Sequence, residues 1–170
     1  ENDGFNRLIV RANFTWQECQ VIRTYAKYLR QLKVTFSQAY MEEALSKYPH
    51  ICRLLVQLFT CKFDPESTED RESSQDEIIH KIKALLEDVV ILDDDRIINK
   101  FMNTMQSTLR TNYYQSIDGK QKPYLSIKID SQAIEEMPLP RPKYEIFVYS
   151  SRMEGIHLRG GKVARGGIRW

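Results

Sequence analysis

A chain of 170 residues is long enough for one ordinary domain or two small ones. Apolar residues make up 42% and charged residues 28%, the balance of a soluble globular protein rather than a disordered one. The net charge of +2 is too small to make nucleic acid the partner of the whole molecule, and no apolar run approaches the roughly 20 residues that cross a bilayer.

The longest apolar candidate, Ile51–Phe63, is broken by Arg53, Gln57 and Lys62. Three cysteines, Cys19, Cys52 and Cys61, form an odd and sparse set. That argues against a disulfide framework and for a reducing, cytoplasmic setting. His50-x-Cys52 with Cys61 further on is a poor zinc pattern. No signal peptide opens the chain, and Glu1 in place of Met is what an excised piece or a processed start looks like.

The first two-thirds read as helices. Thr15-x-x-Glu18 is a capping-box pattern ahead of Trp16, Cys19, Ile22, Tyr25, Ala26, Leu29 and Leu32, one apolar stripe on a helix from about residue 16 to 33. Thr35-x-x-Gln38 repeats the signal for a second helix that stops before Pro49. Pro49 suits the first position of a third helix, carrying Ile51, Leu54, Leu55, Leu58 and Phe59. Connections this short predict antiparallel helices, and residues 1–63 form the first helical unit.

Residues 64–76 (DPESTEDRESSQD) contain no aliphatic or aromatic side chain and are expected to be a solvated acidic linker. Helical patterning resumes in 77–114 with Ile78, Ile79, Ile82, Leu85, Leu86 and Val89. A last helix from about Asp94 carries Ile97, Ile98, Phe101, Met102, Met105, Leu109 and Tyr113. Asp93-Asp94-Asp95 lies where that helix begins, so the carboxylates are expected to serve its amides and dipole, and no metal site is expected.

From residue 115 the period changes. Asp118-Gly119 is a hairpin turn signal, and Leu125, Ile127 and Ile129 alternate along a strand over Tyr124–Asp130. Met137–Pro142 is proline-rich and extended. Tyr144–Tyr149 (YEIFVY) is expected to be a strand buried on both faces, with short strands at Ile156–Leu158 and Ile168–Trp170. Helices first and strands afterwards predict an α+β fold, mostly helical before a small β-containing unit over 115–170.

The last sixteen residues hold five of the seven glycines, interleaved with Arg159, Lys162, Arg165 and Arg169. Glycine allows close backbone approach, and arginine offers a charged planar fork to an anion. A phosphate loop is excluded, because Gly161-x-x-x-x-Gly166 is followed by Gly167-Ile168 where Lys and a hydroxyl are required. The dinucleotide pattern GxGxxG is missing too. Arg159-Gly-Gly and Arg165-Gly-Gly resemble RNA-binding RGG repeats, but the strand-like flanks fit poorly. A pocket for a small carboxylate remains open, beside the plainer reading of tight turns and solvated arginines.

The string Tyr144–Trp170 resembles the start of the catalytic domain of the very large bacterial NAD-specific glutamate dehydrogenases. Leu109–Gln115, Tyr124–Lys128 and Asp130-Ser131 resemble the same family, so the match covers about the last sixty residues. The helical part before it is compatible with the family's helical region. The smaller hexameric glutamate dehydrogenases carry a Lys-Gly-Gly-Ile/Leu-Arg segment whose lysine holds the substrate carboxylate. Aligned on its glycines, Arg165-Gly166-Gly167-Ile168-Arg169 falls there, with Arg in place of Lys. Arg165 binds a carboxylate bidentately but cannot act as a base.

The resemblance implies a fragment of an enzyme that oxidatively deaminates L-glutamate to 2-oxoglutarate and ammonium with NAD. It implies Arg165 as a substrate contact, Gly166 and Gly167 for close approach, and Arg159, Lys162 and Arg169 for positive potential. The family's catalytic lysine, catalytic aspartate and nucleotide-binding domain are expected beyond Trp170. Residues 1–170 alone are therefore expected to bind no NAD and to be inactive. The remainder of the same polypeptide and further copies of the parent, as a homo-oligomer, are the expected partners, with neither nucleic acid nor membrane among them.

Overall fold

A computed structural model describes residues 2–68, 70–139 and 141–161 and the backbone of 168–169. A 3-10 turn (Gly4–Asn6) leads into six helices among the described residues: α1 Arg7–Arg11, α2 Trp16–Gln31, α3 Gln38–Lys47, α4 Pro49–Phe63, α5 Arg71–Leu86 and α6 Leu92–Gln106. Strands β1 Thr108–Thr111, β4 Leu125–Asp130, β5 Tyr144–Tyr149, β6 Glu154–Arg159 and β7 Ile168–Arg169 form one antiparallel sheet in the order β1-β4-β5-β6-β7. The short strands β2 Ser116–Ile117 and β3 Lys120–Gln121 make a separate hairpin. The α+β expectation holds.

Helix α2 starts as its sequence dictates. Thr15 Oγ1 accepts from the Glu18 amide at 3.2 Å, and Glu18 Oε2 accepts from the Thr15 amide at 2.7 Å. Glu18 also binds Arg53 of α4 at 2.6 Å, so the cap doubles as an interhelix tie. The expected single stripe is too narrow: Val21, Thr24 and Tyr28 are buried as well, because α2 packs on α3, α4 and α6 and also on β4 and β5. Trp16, at the helix start, is 59% exposed.

The second helix is capped by Ser37, whose Oγ accepts from the Tyr40 amide at 3.1 Å, rather than by Thr35. Tyr48 ends α3 at φ −121° and ψ 64°, outside the α region that a following proline disfavours, and Pro49 opens α4.

Two expected boundaries move. The acidic segment 64–76 is a loop only to Asp70, which caps α5 by accepting from the amides of Glu72 and Ser73. Residues 71–76 open α5 with four exposed positions and with Ser74 and Gln75 half-buried, and so polar a helix start has the same composition as a linker. The last helix ends at Gln106, not beyond Tyr113. Ser107 Oγ and Thr108 Oγ1 donate back to the carbonyls of Asn103 and Thr104 at 2.8 Å each, and β1 follows at once. The β-containing part thus begins at Thr108 instead of 115.

Asp93, Asp94 and Asp95 all occupy the first turn of α6, but no side chain caps it. Asp94 turns inward, fully buried, and accepts from Lys47 Nζ at 3.3 Å and Tyr48 Oη at 3.0 Å. Burial and that carboxylate push the Tyr48 phenol above its ordinary pKa.

Asp118 (φ 51°) and Gly119 (φ 72°) both take positive φ, the type I′ geometry that the Asp-Gly pair predicts, and they join β2 to β3. Leu125, Ile127 and Ile129 of β4 point to the helices as their alternation requires. Strand β5 departs from expectation. Only Glu145, Phe147 and Tyr149 are buried, while Tyr144, Ile146 and Val148 are intermediate. One face of the sheet is covered by helices; the other is partly open. A single core runs through both halves of the chain, from Leu8 and Tyr25 through Leu55 and Ile97 to Ile127 and Phe147.

Thr15→Ala removes one half of the α2 capping box and is expected to lower stability by about 1 kcal/mol in urea unfolding of the 170-residue chain. An unchanged midpoint would show that the cap is redundant with the Glu18–Arg53 tie.

Candidate functional site

Strand β6 is bound on both sides. Six residue pairs join it to β5, from Tyr149↔Glu154 to Tyr144↔Arg159, and the Lys143 amide donates to the Arg159 carbonyl at 2.9 Å. On its other side Ile156 pairs with Arg169 and His157 with Ile168. The chain therefore leaves β6 through Gly160-Gly161 and returns antiparallel as β7, so the arginine- and glycine-rich stretch lies in the connection of a hairpin. Paired strands on both flanks are unlike the open chain of an RGG segment.

Of the six predicted site residues, Lys162, Arg165, Gly166 and Gly167 lie outside the described residues. Arg159 is the last residue of β6 and half-buried. The backbone of Arg169 lies opposite Ile156, three positions back from Arg159, a separation of roughly 10 Å along the strand. Gly160 and Gly161 have no heavy atom within 4 Å of the place a Cβ would take, so packing does not demand glycine at either position.

Sheet register sorts the side chains by face. Ile156 and Leu158 share the helix-covered face with Phe147, Glu145 and Ile127. His157 and Arg159 share the other face with Ile146 and Tyr144 of β5, Lys128 of β4 and Arg110 of β1. The Tyr144 ring carries Lys128 Nζ 4.4 Å and Lys143 Nζ 5.4 Å from its centroid. The partly open face is therefore cationic, with Asp130 as its acid among the described strand residues, and it leads to the hairpin connection.

On the helix side of β5 sits a group that the sequence pattern does not single out. Glu145 is fully buried and accepts a 2.6 Å hydrogen bond from Tyr28 Oη of α2. The Tyr28 ring packs on Phe147 at a centroid distance of 5.7 Å. The available signal is phase: Glu145 alternates with Phe147 and Tyr149, so the single charge of the strand has to face the same way as those two aromatics.

No group of three or more His, Cys, Asp or Glu suited to a metal ion occurs among the described residues. The described sheet is antiparallel throughout, and no glycine-rich strand–turn–helix unit of the dinucleotide-binding kind is present among the described residues. Burial raises the Cys19 thiol and pushes that of Cys52 far up, whereas Cys61 is half-buried and donates a long 3.9 Å contact to the Arg71 carbonyl.

A helical layer and an antiparallel sheet ending in a cation-bearing hairpin define an α+β unit split between a helical part and a strand part. Known families divide the chain similarly. A family model described as glutamate dehydrogenase, helical motif 3, matches residues 1–65, and one described as bacterial NAD-glutamate dehydrogenase, catalytic domain, matches residues 81–170. The chain belongs to the bacterial NAD-glutamate dehydrogenase family. It is 46% identical over 174 residues to the NAD-specific glutamate dehydrogenase of Pseudomonas aeruginosa and 47% identical over 171 residues to that of Halomonas elongata. To that of Mycobacterium tuberculosis it is 46% identical over 177 residues. Each alignment takes in 100% of this chain and 10% or 11% of the relative, so the chain spans about a tenth of the length of the curated relatives it matches. No described helix is long and apolar enough to cross a membrane.

Ellman's reagent is expected to modify Cys61 rapidly in the native 170-residue chain and to reach Cys19 and Cys52 only in denaturant. Rapid modification of all three cysteines in buffer would contradict the burial described.

Proposed function

We propose that this chain forms a segment of an NAD-dependent glutamate dehydrogenase, with the hairpin connection between β6 and β7 contributing to the pocket for L-glutamate and 2-oxoglutarate. The parent reaction takes L-glutamate, NAD⁺ and water to 2-oxoglutarate, NADH and ammonium. The observation that carries the reading is the catalytic-domain match over residues 81–170, within which the arginine- and glycine-rich stretch joins two paired strands.

In this reading Arg165 binds a substrate carboxylate through its planar fork, and Gly166 and Gly167 allow backbone amides to come close to it. Arg159, Lys162 and Arg169 add positive potential that favours a dianion. Lys128 and Arg110, on the open face leading to the hairpin, extend that potential. Bound NAD would accept the hydride, and residues outside this chain would hold it and supply the base. This chain's role is to bind and orient the acid. The parent acts in the cytoplasm as a homo-oligomer.

Arg165→Ala in the full-length enzyme is expected to raise the KM for glutamate about ten- to a hundredfold, the worth of one charge-assisted contact, with the KM for NAD⁺ unchanged. Arg165→Lys should recover some of the loss. A glutamate KM that stays at the wild-type value in Arg165→Ala would remove the carboxylate role.

A further inference from the structure

Trp16 belongs by spacing to the apolar stripe of α2, yet at the first position of that helix it is 59% exposed. Tryptophan is mostly buried in folded proteins, and where it stays on a surface it often anchors a contact with another polypeptide. Two grooves meet at this turn of helix. One, of about 470 Å³, is lined by Ile9 of α1, by Trp16 and Gln20 of α2, and by Pro123, Tyr149 and Ser151 of the strand part. The other, of about 370 Å³, is lined by Thr15 and Gln17 and by Tyr114, Gln115 and Gln121 beside the β2–β3 hairpin. The start of α2 is therefore a ridge between them. Each groove has one wall from the region matched by the helical motif and one from the region matched by the catalytic domain.

The linings say what kind of ligand they suit. Among the described residues neither groove is lined by a carboxylate, and Arg23, the single cation, is buried and bound to Asp3 at 2.6 Å. A charged metabolite finds no uncommitted counter-ion there. The grooves offer carboxamides instead, from Gln17, Gln20, Gln115 and Gln121. A carboxamide presents both a donor and an acceptor, the pair that a peptide backbone also presents. Two of the four are held in place by their own fold. Gln121 Nε2 donates to the Tyr113 carbonyl at 3.0 Å, and Gln115 Oε1 accepts from Lys122 Nζ at 2.6 Å. Side chains fixed beforehand lose little entropy when a partner arrives.

An aromatic ridge flanked by amides fits a peptide segment that lays an apolar side chain on Trp16 and its backbone along the glutamines. Length argues for the source. This chain spans about a tenth of its relatives, so a parent of that size carries roughly nine-tenths of its residues outside this unit. A segment of the same polypeptide is presented at an effective concentration on the order of millimolar when its linker spans the distance, an advantage that a separate molecule lacks.

We infer that the Trp16 ridge and its two grooves are the docking surface for an uncharged, apolar-bearing segment of the parent polypeptide that lies outside residues 1–170. The inference rests on the family and on this surface, and is independent of the glutamate pocket.

The test is photo-crosslinking in the full-length enzyme with p-benzoylphenylalanine in place of Trp16, an exposed position where the larger ring leaves the core untouched. The expected product has the mass of a single polypeptide, and peptide mapping joins position 16 to a segment outside 1–170. Trp16→Ala is then expected to speed amide hydrogen exchange in that mapped segment about tenfold, the effect of removing one anchoring side chain. A product of doubled mass would assign the surface to a second copy and overturn the inference. So would crosslinks confined to residues 1–170, no crosslink at all, or exchange in the mapped segment that Trp16→Ala leaves unchanged. Loss of glutamate turnover bears on the proposed function alone, since neither readout uses activity.

Discussion

The burial of α2 on two sides at once is the constraint on which the rest of the structure depends. Its Ile22, Tyr25 and Leu29 are wholly or almost wholly buried, and its other flank meets β4 and β5 through Tyr28 and Phe147. A helix with apolar surface on both flanks has no stable place at the edge of a fold, so helices must close on one side and strands on the other. The strands in turn owe their helix-facing residues Leu125, Ile127, Ile129 and Phe147 to that contact. Fully burying side chains of this size is worth about 1.5–3 kcal/mol each, enough to join helices and sheet into a single cooperative body.

Features written in neighbouring residues are legible in the sequence. The Thr15–Glu18 box, Pro49 at the start of α4, the Asp118-Gly119 turn and the alternation of Leu125, Ile127 and Ile129 each depend on interactions spanning four residues or fewer, or on a simple period. What escapes is set by competition or distance. Residues 71–76 look like a linker because a solvated helical turn needs no apolar side chain. Leu109 and Tyr113 keep helical spacing past the true end of α6, but the hydroxyls of Ser107 and Thr108 bond back to the preceding turn and the chain becomes a strand. Asp94 and Glu145 take their meaning from Lys47, Tyr48 and Tyr28, which lie 46 to 117 positions away and leave no mark on the local pattern. The arginine- and glycine-rich segment stands out by composition, though composition alone leaves carboxylate, turn and nucleic-acid readings side by side.

On the proposed function, labour is divided between this chain and the rest of the enzyme. Hydride chemistry belongs to the nicotinamide, and what protein must add is placement of the substrate Cα against it. Strand β6, which leads into the arginine- and glycine-rich connection, is paired on both sides, to β5 and to β7, and helix α2 contacts β1, β5 and β6. In the proposed function the cationic open face adds a longer-range attraction for a dianion.

The central claim is that the connection between β6 and β7 receives a carboxylate of the substrate. It is tested most directly by the exchange of backbone amides in 154–170 of the full-length enzyme with and without saturating glutarate, a five-carbon dicarboxylate that cannot react. Slower exchange in that peptide on adding glutarate is the predicted result. Protection confined to other regions of the enzyme, with 154–170 unchanged, would contradict it.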